Sequence, residues 1–261
     1  MSGQPEIPLE ETIAITDPGE QDRELQTWAD RLVVRFANIV AWLFPVLMIA
    51  ICTQVVIRKM GHNQAWLDDA QWWIYGFAMT VGFAYAITTQ SHVRVDILHQ
   101  HFMHKKKARI EVIGLGWFLL PFLLIMTDIL FHYGWASVLA GEGSDSPNGL
   151  HRLYLLKISL PVLFVLAAIA TVSMAIRHLG NFAPVRLWSI LLATLPAAIF
   201  LFERVSYYVL YWITRVAQPD LNPRRISKEP VFEYTMWYGI AIVAILIILS
   251  LVLSRRNASE G

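Results

Sequence analysis

Leu67 to Phe102 reads LDDAQWWIYGFAMTVGFAYAITTQSHVRVDILHQHF. Ala70 to Thr89 holds no charged residue. Its length of about 20 residues matches a bilayer core when wound as a helix. A polar turn follows with His92, Arg94 and Asp96, and then the basic run Lys105, Lys106, Lys107 and Arg109. The stretch predicts a membrane helix that runs into a cationic connection. Ala78, Gly82 and Ala86 recur every four residues and share one face, while Trp73, Phe77 and Tyr85 point elsewhere. Small residues on one face let a second helix approach closely and gain dispersion contact within lipid. That second helix belongs either to this chain or to a partner.

Composition sets the class. The chain has 261 residues, 56% of them hydrophobic and 16% charged. Its mean hydropathy is +0.48. A soluble domain usually carries about 25% charge. Several long apolar runs indicate an integral membrane protein. A net charge of +1 gives no global argument for a nucleic-acid partner. The single Cys52 excludes an intramolecular disulfide and reads as a small hydrophobe.

Around the opening stretch, five more apolar runs appear. Residues 1–16 are acidic and do not resemble a cleaved signal peptide. Asp17-Pro18 has the form of a helix start. Leu25, Trp28, Leu32 and Phe36 follow on one face, as in an amphipathic lead-in on the membrane surface. The first span is expected over Val33–Ile57 with Pro45 inside it. The third is expected over Ile110–Tyr133 with Pro121 inside it, and the fourth over Leu155–Ile176 with Pro161. Gly141 to Gly149 is dense in turn formers and must be a loop. The fifth run, Leu187–Ile213, is interrupted by Glu203-Arg204, and the sixth is Phe232–Leu253. Tyr207, Tyr208, Tyr211 and Trp212 look like an interfacial belt. The fold class is therefore all-α, a polytopic helical membrane protein. Its divisions are a cytoplasmic segment over 1–29, a four-span region over 30–180 and two additional spans over 181–261.

Loop charge gives an orientation. Residues 90–109 hold Arg94, three lysines and Arg109, whereas residues 134–154 hold only Arg152. Cationic loops stay in the cytoplasm, so both termini are expected there. Arg255 and Arg256 agree; the linker with Arg215, Arg224, Arg225 and Lys228 does not.

Chemistry-bearing residues are sparse. Of the eight histidines only His132 falls inside a predicted span, so paired axial ligands for haem are not available. His99, His101 and His104 lack an acid or cysteine at ligand spacing and read as a solvated cluster. Asp128, Glu203 and Arg204 lie within apolar runs and suggest structural ion pairs or partner contacts rather than a relay. Adjacent Glu203 and Arg204 project about 100° apart on a helix, so they are expected to neutralise one another poorly. No phosphate-cradling loop, zinc-protease motif or nucleophile motif is present. The residues indicate no catalytic site, no cofactor and no metal. A haem-holding redox subunit and a membrane anchor for a signalling complex are the competing readings.

LDDAQWWIYGFAMTVGFAYAITTQSHVRVDIL resembles the small, DctQ-like membrane subunit of TRAP transporters, the tripartite ATP-independent periplasmic systems. Asp69, Gln71 and Trp72 match the acidic and Gln-Trp opening of that family's second helix. His92, Val93, Arg94, Val95 and Asp96 match the motif that closes it. Gly141-Glu142-Gly143-Ser144, Gly149-Leu150, Lys157 and Pro161 resemble the mannitol/chloroaromatic-type branch. The likeness covers about residues 30–180. It implies a scaffold in the bacterial inner membrane that pairs with a large membrane subunit. That large subunit would move an organic-acid-type solute with an ion gradient, after delivery by a periplasmic binding protein. The scaffold would have no substrate site of its own. Asp69, Gln71, Trp72, Ala78, Gly82, Ala86 and Glu142 are then the expected partner-interface residues. His92, Arg94 and Asp96 are expected to pin the cytoplasmic turn. Two features depart from the family: two spans beyond the usual four, and Ala168-Ile169 where many relatives carry a Gln.

Overall fold

The computed structural model describes residues 23–91, 102–219 and 221–259. Among these every regular element is a helix. Asp17-Pro18, His92, Arg94, Asp96, His99 and His101 lie outside the described residues.

Among the described residues four helices are long and apolar enough to cross a membrane: Trp28–Lys59, His104–Ala140, Tyr154–Gly180 and Pro230–Arg256. The helix of the opening stretch, Ala65–Thr89, is 25 residues long. It is long enough to span but is not among those four. Asp68, Asp69, Gln71, three tryptophans and Tyr75 crowd its first half and make it less apolar.

The helices are α1 Trp28–Ala41, α2 Leu43–Lys59 and α3 Ala65–Thr89. Next come α4 His104–Ile113, which passes through a π-turn over Gly114–Leu119 into α5 Leu120–Ala140, and α6 Tyr154–Gly180. The chain ends with α7 Leu187–Ala193, α8 Leu195–Ala217 and α9 Thr235–Ser259. They form two compact units. The first takes the described residues of Met1–Asp96 and Met126–Met174, the second those of Ile97–Ile125 and Ala175–Gly261.

In the first unit, α1 starts at a capping box. The Asp30 amide donates to Thr27 Oγ1 at 3.2 Å, and the Thr27 amide returns to Asp30 Oδ2 at 2.9 Å. The Thr27 hydroxyl also meets Ser173 Oγ at 2.7 Å, tying this start to α6. Pro45 has no N–H to offer the Ala41 carbonyl, and the helix breaks for one residue at Trp42 before resuming as α2. The face of α1 that packs is Ala29, Val33, Val34, Ala37 and Val40. Leu25, Trp28 and Leu32, the stripe expected from spacing, stay exposed. Ala37 and Val40 meet Ala78 and Val81 of α3 and Leu163 of α6, with Phe36 edge-on to Phe77. Lipid tails are as apolar as these side chains, so close fit supplies the gain here rather than removal from water. Ala78 and Ala84 of α3 are almost fully buried and permit that fit. Thr89 ends α3 as expected, with Gln90 taking the left-handed conformation at φ 54°.

In the second unit, Pro121 explains the π-turn. Its ring would strike the Trp117 carbonyl in a regular α-turn, and it has no N–H to give that carbonyl. The turn widens, and the Leu120 amide donates to the Leu115 carbonyl. The fifth apolar run is broken near its start. It bends by 97° between α7 and α8, at Thr194, because Pro196 denies an N–H to the Leu192 carbonyl. The Trp117 indole donates to that carbonyl instead, at 3.3 Å. Helix α8 packs on α9 through Ala198, Ile199 and Phe202 against Val243, Leu246 and Ile247. Gly239 lets the two backbones meet, since a Cβ there would lie 2.8 Å from the Ile199 carbonyl oxygen.

Glu203 and Arg204 correct the expectation of poor neutralisation. Arg204 Nε and Nη2 donate to Glu203 Oε2 and Oε1 at 2.6 and 2.8 Å. The long guanidinium stem curls back across the 100° between the two residues. It also lies over the Tyr207 ring at 5.0 Å, and Thr235 Oγ1 donates to Glu203 at 3.0 Å.

Candidate functional site

The polar side chains of the first unit gather where α3 begins. Helices α2 and α3 form a hairpin closed by Gly61 at φ 85°. There the Gly61 amide donates to the Arg58 carbonyl and the His62 amide to the Ile57 carbonyl. These are the paired bonds that end a helix on a left-handed glycine. Positions 50, 54 and 58 share one face of α2, and 68 and 71 share one face of α3.

Across the hairpin these positions join in one chain. Arg58 Nη2 donates to Asp68 Oδ2 at 2.9 Å and to Oδ1 at 3.2 Å. Gln54 Nε2 donates to Asp68 Oδ1, and Gln71 Nε2 donates to Gln54 Oε1. Gln71 Nε2 also reaches the Ala50 carbonyl at 3.3 Å. Gln54 is only 5% exposed and sits at the centre of the chain. Burying such an amide without partners would cost its full desolvation; here its nitrogen and oxygen are both used.

Asp69 projects to another side of α3. Its Oδ2 accepts the Leu150 amide at 2.9 Å and so holds the 141–153 connection onto the start of the helix. Gly149 makes this possible. A Cβ there would fall 2.2 Å from Ser144 Oγ and 2.6 Å from Asp69 Oδ2. The Ser144 amide donates to the Leu150 carbonyl at 2.9 Å, closing the loop on itself.

Glu142 anchors the other side of that loop. It accepts from Lys157 Nζ and from Ser137 Oγ, both at 2.5 Å. Hydrogen bonds from Lys157 and then Ser137 hold its carboxyl below the ordinary carboxylate value, more than offsetting the opposing effect of burial. Lys157 Nζ also stands 4.5 Å above the Tyr133 ring. Helices α5 and α6 meet closely here, because a Cβ on Gly134 would lie 2.9 Å from the Lys157 carbonyl oxygen.

The structure thus brings together Asp69, Glu142, Gly149 and Lys157 in one clasp and Gln71 with Gln54 in another. Ala78 is 2% exposed inside the unit's own core. Ala86 is half-buried, and Gly82 is exposed with open space over its Cα. Trp72 is 72% exposed and meets Tyr75 edge-on at 6.4 Å. Gln54, Ser137 and Tyr133 complete these clasps and carry no motif that singles them out. The i, i+4 spacing of Gln54 and Arg58 inside an apolar run was the available signal. Among the described residues no group of three His, Cys, Asp or Glu is placed to hold a metal.

The family model for tripartite ATP-independent periplasmic transporters, DctQ component, matches residues 47–181, just over half of the chain. No curated protein and no solved structure matches it. The matched segment opens within α2 and closes one residue after α6. It contains both clasps and leaves α7, α8 and α9 outside. The chain therefore belongs to the DctQ family, the small membrane component of TRAP transporters.

Proposed function

We propose that this chain is the scaffold subunit of a binding-protein-dependent, ion-gradient-driven importer of an organic-acid-type solute. It pairs with the large membrane subunit and holds no solute itself. One observation carries this reading: Gln54, Arg58, Asp68, Gln71, Asp69, Glu142 and Lys157 hydrogen-bond one another and their own loop. Such groups make a stiff frame rather than an open site.

In this reading Trp72, Gly82 and Ala86 line the contact with the large subunit. Ala78, Gln71, Asp69 and Glu142 fix that face from within. Gly82 supports the assignment, because open space over its Cα leaves room for another helix backbone. The loop held by Glu142 and Asp69 faces the periplasm, where the binding protein docks. His92, Arg94 and Asp96 pin the opposite turn at the cytoplasmic surface, with both termini on that side of the bacterial inner membrane. The divisions 30–180 and 181–261 separate the family's bundle from two further crossings, the first of them kinked at Thr194. The mannitol/chloroaromatic-type branch is the assignment that the 141–150 loop supports.

Co-purification tests the pairing. A tagged chain should bring down a much larger multi-span protein, and Gly82→Trp should lower that yield at least several-fold with the chain still inserted. Proteoliposomes holding the chain alone should show no solute flux, whereas those with the large subunit and binding protein should. Flux from the chain alone, or a haem absorption band in the pure protein, would overturn the proposal.

A further inference from the structure

One end of the second unit collects cations from three separate segments. Residues 102–110, 175–190 and 247–256 hold eight Lys or Arg and no Asp or Glu. Their convergence is visible in specific contacts. The Arg109 guanidinium lies 5.6 Å over the Phe182 ring, which joins the start of α4 to the turn after α6. That turn is closed by the Phe182 and Ala183 amides on the Leu179 carbonyl, at 3.1 and 3.0 Å. Next, the Trp188 amide donates to Ser250 Oγ at 3.1 Å, which joins the start of α7 to the last turns of α9. Arg186 stands two residues before Trp188, and Arg255 little more than one turn beyond Ser250. Lys105, Lys106, Arg109, Arg186 and Arg255 are all exposed.

Exposed apolar side chains border these cations. Ile110 adjoins Arg109, Val185 and Leu187 flank Arg186, and Val252 and Leu253 precede Arg255. Lys106 Nζ sits 4.0 Å over the Phe102 ring. A soluble anion would satisfy the charges and leave that apolar border in water. A phospholipid satisfies both, with its phosphate on the cations and its acyl chains on the border. The first and third segments also lie at an end of helices long and apolar enough to cross a membrane, and the second runs from the end of another such helix. The other end of this unit differs, since Glu229 and Glu233 there accompany Arg215, Arg225 and Lys228.

We infer that this basic end is a binding surface for anionic phospholipid headgroups, shared among the start of α4, the 181–187 turn and the end of α9. It is independent of the solute and of the large subunit.

Titration of the full chain in neutral mixed micelles with phosphatidylglycerol or phosphatidylcholine, read by native mass spectrometry, tests this. Phosphatidylglycerol should be retained and phosphatidylcholine not, with retention falling as salt is raised. The triple variant Lys105→Gln, Arg186→Gln, Arg255→Gln takes one cation from each segment. It should weaken retention by tenfold or more, since each surface cation contributes about fivefold. Lys105→Arg, Arg186→Lys, Arg255→Lys keeps the charge and should retain the lipid, which separates loss of charge from loss of fold. Equal retention of the two lipids, or no change in the Gln triple, would overturn the inference. So would full displacement by millimolar inorganic phosphate, which would reassign the surface to soluble anions. Displacement by an acidic protein with no lipid preference would do the same.

Discussion

The α2–α3 hairpin end of the first unit and the α7–α8 break of the second solve one problem in opposite ways. Each must place polar groups among apolar helices. The hairpin spreads the task over distant residues: Gln54, Arg58, Asp68 and Gln71 answer one another across two helices, and Asp69 reaches an amide 81 positions away. The break relies instead on a freed backbone carbonyl and on single side chains that answer one at a time. Pro196 frees the Leu192 carbonyl, one indole takes it, and Glu203 finds Arg204 beside it. A side-chain network fixes the register of two helices, so it suits a frame. A backbone break fixes a direction, so it suits a bend. The family match takes in the whole hairpin and stops before the break.

The sharpest way to break this comparison is at the glycine beneath the bend. A Cβ on Gly116 would stand 2.1 Å from the Ala193 carbonyl oxygen, a backbone atom that cannot swing aside. Gly116→Ala should cost about 1–3 kcal/mol by overpacking, read as a lower unfolding midpoint in detergent. Gly114→Ala is the control. It lies in the same π-turn with nothing within 4 Å of the new atom, so the change should be neutral or stabilising by up to about 1 kcal/mol. Equal effects at both positions would mean that the bend does not rest on this contact.

The hairpin is sharpened by a double-mutant cycle. Gln54→Leu removes one hydrogen bond from Asp68, which keeps Arg58, and one from Gln71, which keeps the Ala50 carbonyl, and should cost about 1–3 kcal/mol. Gln71→Leu should cost less once Gln54 is already Leu, with a coupling of about 0.5–2 kcal/mol. Arg58→Gln should cost under about 1 kcal/mol, because the Arg58–Asp68 pair is 57% and 38% exposed. Strict additivity in denaturant unfolding would show that the two glutamines do not act as one network.

Much of this was legible in sequence because membrane helices obey length and apolarity. Thr89 ends its helix where the polar residues begin, and the 141–149 turn formers make a loop. What was not legible depended on which atoms meet. Spacing picked Leu25, Trp28, Leu32 and Phe36 as an apolar stripe for the membrane surface, and it did not say which face of α1 meets protein. The buried face was the one with alanines at 29 and 37, whose small size only matters beside Ala78. Pro121 and Pro196 were visible, but a proline shows where a carbonyl loses its donor and not whether the helix widens or turns by 97°. Glu203 and Arg204 defeated a rule about Cβ directions, which long side chains need not obey.

The smallest effect concerns the loop that Asp69 and Glu142 hold. The Glu142 carboxyl is kept below its ordinary value of 4.5 by hydrogen bonds from Lys157 and Ser137. A group with a lowered value in the folded protein stabilises it above the unfolded value and loses that contribution as pH falls through the folded value. Protection of the Ser144 and Leu150 amides from hydrogen exchange, corrected for intrinsic rates, should therefore hold constant from pH 7 to about 5. It should decline only below 4.5. Glu142→Gln is the deciding variant. Gln keeps a carbonyl oxygen for Lys157 or Ser137 but has no proton to gain. The part of the step that vanishes in it belongs to Glu142. If the whole step survives, the loop is held from the α3 side alone, and the Lys157 contact adds nothing to closure.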